Sequence, residues 1–260
     1  MLNKDNIHTF NLHSDIEISY IGPDLSSGPL PALFYFALSA KDSLGLDPFN
    51  QPVSYLSALP MRIFSMTLPG HGNHLPATQA LHFWAKEIGQ GNNVITEWIK
   101  HIHFAVETLL HQKVLVKGRI AIAGLSRGAF IATHVASAID DFQYILGFAP
   151  FTDLATIKEF QELQSNPIVK ELILKNVAHR LIDRSLRYYI GNLDTRVETR
   201  RCFDFIETLS QTAYDHKVRS PQVELIISPS IGRDGHGTSK EVFHHGAQWI
   251  AQKLGAIDVL

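Results

Sequence analysis

The sequence predicts an α/β protein with a mostly parallel, eight-stranded type of sheet and helices on both faces. Apolar segments typical of buried strands alternate with longer segments whose apolar residues recur every three or four positions. These helical segments supply the long crossovers that parallel strands need. With 260 residues, 45% hydrophobic and 18% charged, the chain has enough apolar side chains for a full core. No repeat or linker interrupts it, and we expect a single domain over 1–260.

The predicted sheet begins with a hairpin. Two short segments with alternating polar and apolar residues flank a polar turn at 13–15, a pattern typical of paired antiparallel strands. The later apolar runs are typical of strands buried on both faces. In chain order, the predicted strands are Ile7–Leu12, Ile16–Ile21, Pro31–Ala37, Met61–Leu68, Gly118–Ala123, Tyr144–Phe148, Ser185–Ile190 and Val223–Ile227.

Three helices are predicted from spacing and composition. Asn92 or Asn93 is a candidate N-cap for an amphipathic helix that extends to Leu110. The segment Gly128–Ile139 is rich in small residues and predicts a helix that packs closely on the sheet, and Ser239–Leu254 predicts the last helix.

A serine stands where a predicted strand ends and a predicted helix begins. The sequence Gly124-Leu-Ser-Arg-Gly128 matches G-x-S-x-G, which in this context indicates a nucleophile elbow. Because the flanking glycines have no Cβ, strand and helix can approach closely around a sharp turn that holds the serine hydroxyl clear of the sheet. Ser126 is therefore the candidate nucleophile, and a glycine-flanked turn without a catalytic role is the alternative.

Two further residues could complete a catalytic triad with Ser126. A serine needs a base to accept its proton, and the base needs a carboxylate to fix its tautomer. Asp194 follows a predicted strand, and His236 lies between the last predicted strand and the last helix, with glycines on both sides. Their order after Ser126 is the order in which acid and histidine follow an elbow serine.

Each partner has a rival. Asp153 also follows a predicted strand and is the alternative acid, while Asp194 could instead start a helix. His244 and His245 compete with His236 as base, but both fall within the predicted last helix and would project from its surface.

Five segments, in this order, resemble the α/β-hydrolase superfamily, in particular its compact branch with prolyl-oligopeptidase-like and dienelactone-hydrolase-like catalytic domains. They extend over nearly the whole chain, and the elbow, the Gly-x-x-Asp-x-x-Val segment and the late Gly-His are the more specific among them. The matching segments are Leu68-Pro-Gly-His-Gly72, Gly124–Gly128, Ala149-Pro-Phe-Thr-Asp-Leu154, Ile190-Gly-Asn-Leu-Asp-Thr-Arg-Val197 and Gly235-His-Gly237.

The resemblance implies an oxyanion hole formed by two backbone amides. One is the amide of Arg127, and the other comes from the loop after the third strand. Many relatives have His-Gly-Gly or His-Gly in this loop, whereas this chain has Ala-Leu-Ser-Ala, so Leu38 is the expected donor and Ser39 the alternative. His71 is expected either at the active-site rim or as a turn residue, and the Arg127 side chain either on an anionic substrate or in a structural role.

The segment Phe151–Asp183 occupies the position of the superfamily's cap over the active site. Its 33 residues are helical in character and too few for an independent domain, so we expect a small cap insertion at 151–183. Its apolar residues either roof a pocket or pack against the sheet. They are Phe151, Phe160, Leu163, Ile168, Leu172 and Leu174.

The residues and the resemblance together predict a serine hydrolase that cleaves a carboxylic ester through an acyl-enzyme and needs no metal or organic cofactor. A small cap without a large gating domain favours an ester, and a small peptidase or amidase is the alternative. A non-catalytic binding module is the second alternative. The net charge of −2 argues against a nucleic-acid partner, and without a long apolar segment or an apolar leader we expect no membrane association and a cytoplasmic location.

Overall fold

The structure, a computed structural model, describes residues 6–72 and 75–257. Its centre is one eight-stranded sheet with the spatial order β1-β2-β4-β3-β5-β6-β7-β8. The first two strands run antiparallel to their neighbours, and β3 to β8 are parallel. The strands are β1 His8–His13, β2 Ile16–Ile21, β3 Leu30–Phe36, β4 Arg62–Ser65, β5 Leu115–Leu125, β6 Phe142–Phe148, β7 Ser185–Gly191 and β8 Val223–Ser228.

In the described part of the chain, eight α-helices surround the sheet and cover both of its faces. Residues of α3, α4, α5 and α7 form one apolar core against one face, and residues of α1, α2 and α8 form a second core against the other. The helices are α1 Ala40–Gly45, α2 Gln51–Leu56, α3 Ala80–Gly89, α4 Val94–His111, α5 Arg127–Ala138, α6 Pro167–Glu171, α7 Thr199–Asp215 and α8 Lys240–Lys253.

The predicted fold class is confirmed, and all eight predicted strands occur with small shifts of their ends. The predicted hairpin is β1 and β2. For α4, the cap is Asn93, whose side chain accepts a hydrogen bond from the backbone of Thr96. The part of the predicted single domain that falls on residues 1–5, 73–74 and 258–260 lies outside the described residues.

The segment 151–183 contains little regular α-helix. Three short 3₁₀ helices and the five-residue α6 make up its helical part. Phe151, Phe160, Leu172 and Leu174 are buried, and they belong to the core that α5 and α7 also line. These four side chains therefore pack into the core beneath the segment, which is one of the two arrangements that the sequence left open; the other was a roof over a pocket.

The structure also contains helices that were not predicted, the longest being α7. Its buried residues Cys202, Phe205, Ile206, Leu209 and Ala213 recur at helical spacing on a face that packs on the sheet. No helix within the described ranges 6–72 and 75–257 is both long and apolar enough to span a bilayer.

Candidate active site

Ser126 lies at the sharp turn between β5 and α5. Its backbone angles are φ 55° and ψ −114°, a region that costs a residue with a side chain about 1–3 kcal/mol. The turn is held in place because the Ser126 amide donates to the carbonyl of Phe148 at 2.8 Å. The chain thus keeps a strained conformation at the residue predicted to be the nucleophile.

The two glycines of the elbow allow the backbone to pack closely around this turn. A Cβ on Gly124 would lie well inside van der Waals distance of the Gly128 backbone, and a Cβ on Gly128 would do the same to the Phe36 carbonyl. Because Phe36 ends β3, this packing brings the loop after β3 against the elbow.

Replacing Gly128 by alanine is expected to lower the free energy of unfolding by about 3 kcal/mol, because the new methyl group must displace the backbone at Phe36. Urea unfolding monitored by tryptophan fluorescence measures this change. Gly89→Ala is the matched control, since its Cβ would make an ordinary contact 3.5 Å from Leu163 and should cost little. Equal stabilities of the two variants would contradict the proposed packing.

The structure places Ser126, His236 and Asp194 in one chain of hydrogen bonds. His236 Nε2 lies 2.9 Å from Ser126 Oγ, and His236 Nδ1 lies 2.7 Å from Asp194 Oδ2. A carboxylate only accepts, so Nδ1 carries the proton, and in the neutral ring Nε2 is left to accept from the serine. This is the arrangement in which a histidine can remove the serine proton.

Asp194 is held by its own loop after β7. Its carboxylate is fully buried, and its second oxygen, Oδ1, accepts hydrogen bonds from the amides of Arg196 at 3.0 Å and Val197 at 3.1 Å. The loop is also hydrogen-bonded to the one that carries His236, because the Thr195 amide and the Leu193 amide donate to Asp234 O and Ser230 Oγ respectively. Asp194 and His236 are therefore positioned as a unit.

The rival residues lie in other roles. Asp153 caps a short 3₁₀ helix by accepting a hydrogen bond from the Ala155 amide at 2.9 Å. His244 and His245 lie on α8, where His244 packs against the Tyr55 ring. In the described structure, neither hydrogen-bonds to Ser126 or Asp194.

The loop after β3 differs from its prediction. The amides of Ala37 and Leu38 both donate to the buried hydroxyl of Ser43, at 3.0 and 2.9 Å. An N–H has one hydrogen, so the expected donor Leu38 is already engaged in this conformation and does not suit the role. Sequence reasoning missed Ser43, which lies in α1 and is one of many serines.

The alternative donor, Ser39, is better placed. Among the described residues its amide has no acceptor, and the same holds for the amide of Arg127, the first residue of α5. A cavity of about 440 Å³ opens beside Ser39, with Thr67, His71 and Trp98 in its wall. None of Ser126, His236 and Asp194 is among the residues that line this cavity.

His71 and Arg127 lie together beside the elbow. Arg127 Nη1 donates to the carbonyl of Ala77 at 2.7 Å and lies 3.4 Å from His71 Nε2. Burial, and then the Arg127 charge, lowers the pKa of His71 to about 4, so its ring is neutral at pH 7. Arg196, two residues after Asp194, forms an ion pair with Glu159 at 2.7 Å.

The single cysteine is not a rival nucleophile. Cys202 is fully buried in α7, and burial together with the nearby Asp194 charge raises the pKa of its thiol. Because the thiolate is the reactive form, this thiol is unreactive in the folded chain.

No family model and no curated protein sequence matches this chain. Solved structures do. The chain matches prolyl oligopeptidase B from Galerina marginata with a TM-score of 0.66 and 18% identity, over 98% of this chain and 38% of that one. It matches a Mycobacterium tuberculosis puromycin-hydrolyzing peptidase with a TM-score of 0.67 and 15% identity, over 96% and 39%.

A third match has a similar length. It is a cold-adapted esterase from an Arctic intertidal metagenomic library, with a TM-score of 0.66 and 15% identity, over 95% of this chain and 93% of that one. By contrast, the chain spans less than two fifths of the length of the two peptidases.

The sheet order, the two helical layers and these matches show that the chain has the α/β-hydrolase fold. Within that fold it is structurally similar to prolyl-oligopeptidase-like and esterase structures, which confirms the predicted resemblance.

Proposed function

We propose that this chain is a serine hydrolase that cleaves a carboxylic ester through an acyl-enzyme intermediate. The observation that carries the proposal is the continuous hydrogen-bonded chain from Asp194 through His236 to Ser126. The esterase matched over 93% of its length supports an ester as the bond cleaved, whereas the peptidases are matched over a smaller part.

The reaction begins when His236 Nε2 takes the proton from Ser126 Oγ, and the oxygen attacks the ester carbonyl carbon. The carbonyl oxygen becomes negative in the tetrahedral intermediate. His236 then passes its proton to the departing alcohol oxygen, and the carbon–oxygen bond breaks to leave the acyl-enzyme. A water molecule then gives a proton to His236 Nε2 and attacks the acyl carbon. The bond from that carbon to Ser126 Oγ breaks, His236 returns the proton to Oγ, and the acid is released.

The amides of Arg127 and Ser39 would stabilise the negative oxygen in this scheme. Both N–H groups lack acceptors among the described residues, and the loop that carries Ser39 lies against the elbow. Donors already in place for the developing charge contribute about 3 kcal/mol each to lowering the barrier. We assign this role to Ser39 and not to Leu38, because the Leu38 amide already donates to the Ser43 hydroxyl.

We also propose that the segment 151–183 forms one side of the substrate entrance. Its Glu159 pairs with Arg196, which follows the catalytic acid by two residues, so the segment is attached to the acid loop. A small-molecule ester would approach Ser126 beside this segment.

Labelling with a fluorophosphonate probe tests the nucleophile. We expect one labelled peptide, the peptide that contains Ser126, because only this serine hydroxyl is hydrogen-bonded to His236 in the described structure. The label is located by mass spectrometry of the digested protein. A protein that never labels would support the non-catalytic alternative, and a label on another serine would overturn the assignment of Ser126.

The bond type is tested with matched substrates. We expect 4-nitrophenyl esters of graded acyl length to be hydrolysed, whereas the corresponding 4-nitroanilides and aminoacyl anilides are not. Anilides cleaved at rates comparable to those of the esters would favour the peptidase or amidase alternative.

A further inference from the structure

Arg127 carries a charge that is not paired with any carboxylate of the described residues. Its side chain is partly buried, and its contacts are the carbonyl of Ala77 and the ring of His71. Among the described residues, no carboxylate lies within ion-pair distance of it. A desolvated guanidinium is usually paired, because removing it from water costs free energy.

The His71 ring orients this guanidinium without neutralising it. His71 Nδ1 lies 3.1 Å from the carbonyl of Pro69, which can only accept, so Nδ1 carries the proton and Nε2 faces Arg127 as an acceptor. Both groups that hold Arg127 are therefore neutral acceptors, and both contact the same nitrogen, Nη1. In the described structure, its Nε and Nη2 have no hydrogen-bond partner.

The nearby acidic residue is committed elsewhere. Both carboxylate oxygens of Glu159 accept from Arg196 Nη2, at 2.7 and 3.0 Å, so this pair has no net charge. Burial, and then the charge of Arg196, lowers the pKa of Arg127 to about 10, which leaves it protonated at pH 7. The group of Arg127, Arg196 and Glu159 therefore carries one net positive charge near the triad.

From this geometry we propose that Arg127 binds a carboxylate on the substrate, so that the preferred esters carry an anionic group a few atoms from the scissile bond. Arg127 directly follows Ser126, so its side chain starts beside the reacting centre. A planar guanidinium whose Nε and Nη2 have no partner among the described residues suits a carboxylate. This inference rests on the proposed ester hydrolysis and specifies its substrate class.

The test compares pairs of esters that differ in a single charged group. On the acyl side, 4-nitrophenyl hemisuccinate is compared with 4-nitrophenyl butyrate. On the alcohol side, 4-carboxyphenyl butyrate is compared with phenyl butyrate. The wild-type protein should favour the anionic member of one pair by about 10- to 100-fold in kcat/KM, the range for a hydrogen bond to a charged group. The pair that shows the preference tells on which side the carboxylate binds.

Variants of Arg127 separate recognition from a structural role. Arg127→Gln should reduce the ratio of anionic to neutral kcat/KM by about 10-fold or more, mainly through KM, and Arg127→Lys should retain part of the ratio. Arg200→Gln is the matched control, because Arg200 is an exposed helix residue paired with Asp204, and it should leave the ratio unchanged. Product inhibition of the wild-type protein needs no variant. Succinate, with two carboxylates, should inhibit more strongly than butyrate, with one, if the acyl side binds Arg127, and 4-hydroxybenzoate should inhibit more strongly than neutral phenol if the alcohol side does.

Three results would overturn the proposal. The wild-type protein could hydrolyse the two members of each pair equally well, Arg127→Gln could lower both rates by the same factor, or, in both pairs, the product with the additional carboxylate could inhibit no more strongly than its counterpart. A wild-type protein that neither labels at Ser126 nor hydrolyses any of these esters would instead overturn the proposed function, and this inference with it. Hydrolysis of the neutral esters and labelling of Ser126 thus show whether only the role of Arg127 has failed or the proposed ester hydrolysis as well.

Discussion

Ser126→Ala is expected to lower kcat for ester hydrolysis by about 10⁴- to 10⁶-fold, the range seen when a triad serine is removed. The alanine has no oxygen to attack the substrate. It also removes the hydroxyl that lies 2.9 Å from His236 Nε2 and would give its proton to that nitrogen. Steady-state hydrolysis of the best ester from the graded series measures the loss, and fluorophosphonate labelling should disappear with it.

Ser137→Ala is the matched control for this variant. Ser137 lies in α5, the helix that begins just after Ser126, and its hydroxyl donates to the carbonyl of His134 at 2.7 Å, away from Asp194 and His236. Its removal should leave the rate within a few-fold of the wild-type value. If Ser126→Ala kept more than a small fraction of the activity, or still labelled as well as the wild type, Ser126 would not be the nucleophile.

The position of the candidate triad could be predicted because it depends on strand order. In a parallel sheet, the carboxyl ends of neighbouring strands meet at one edge, so residues that follow β5, β7 and β8 come together. Ser126, Asp194 and His236 each follow one of these strands. The glycines of the elbow were a second, local indication of the position of Ser126. The structure explains why they are needed, because the Gly128 backbone lies too close to Phe36 for a side chain to fit.

The amide that would complete the proposed oxyanion hole could not be predicted in the same way. Which amide is free depends on the buried Ser43 hydroxyl, which accepts from Ala37 and Leu38. This contact joins α1 to the loop after β3, and it depends on the rotamer of the Ser43 side chain. A side-chain rotamer cannot be predicted from the periodicity or composition of the sequence. For Arg127 the sequence left two roles open, because the position of its side chain depends on the loop that contains His71 and Ala77.

The α7 helix, by contrast, left a signal in the sequence. Cys202, Phe205, Ile206 and Leu209 recur at helical spacing, and the polar residues between them lower the average hydrophobicity of the segment. A search for the spacing of apolar residues would have found it. The 3₁₀ helices of 151–183 are harder to predict, because helices of three to seven residues leave little periodicity.

Asp194→Asn is expected to lower kcat by about 10⁴-fold with a small change in KM, the effect known for a triad carboxylate changed to an amide. The hydrogen bonds around the side chain give the reason. The amides of Arg196 and Val197 both donate to Oδ1, so the asparagine oxygen must occupy that position. The asparagine NH2 group then faces His236 Nδ1 and donates to it, which moves the ring proton to Nε2 and leaves no acceptor for the Ser126 hydroxyl.

Asp153→Asn is the control, because this residue caps a short helix through Ala155 and should change the rate by no more than a few-fold. Full activity in Asp194→Asn together with a large loss in Asp153→Asn would reverse the assignment of the acid. The double variant Ser126→Ala, Asp194→Asn adds a sharper test. If the carboxylate acts only through His236 on the serine, its loss costs nothing further once Ser126 is gone, so the double variant should be as slow as Ser126→Ala alone.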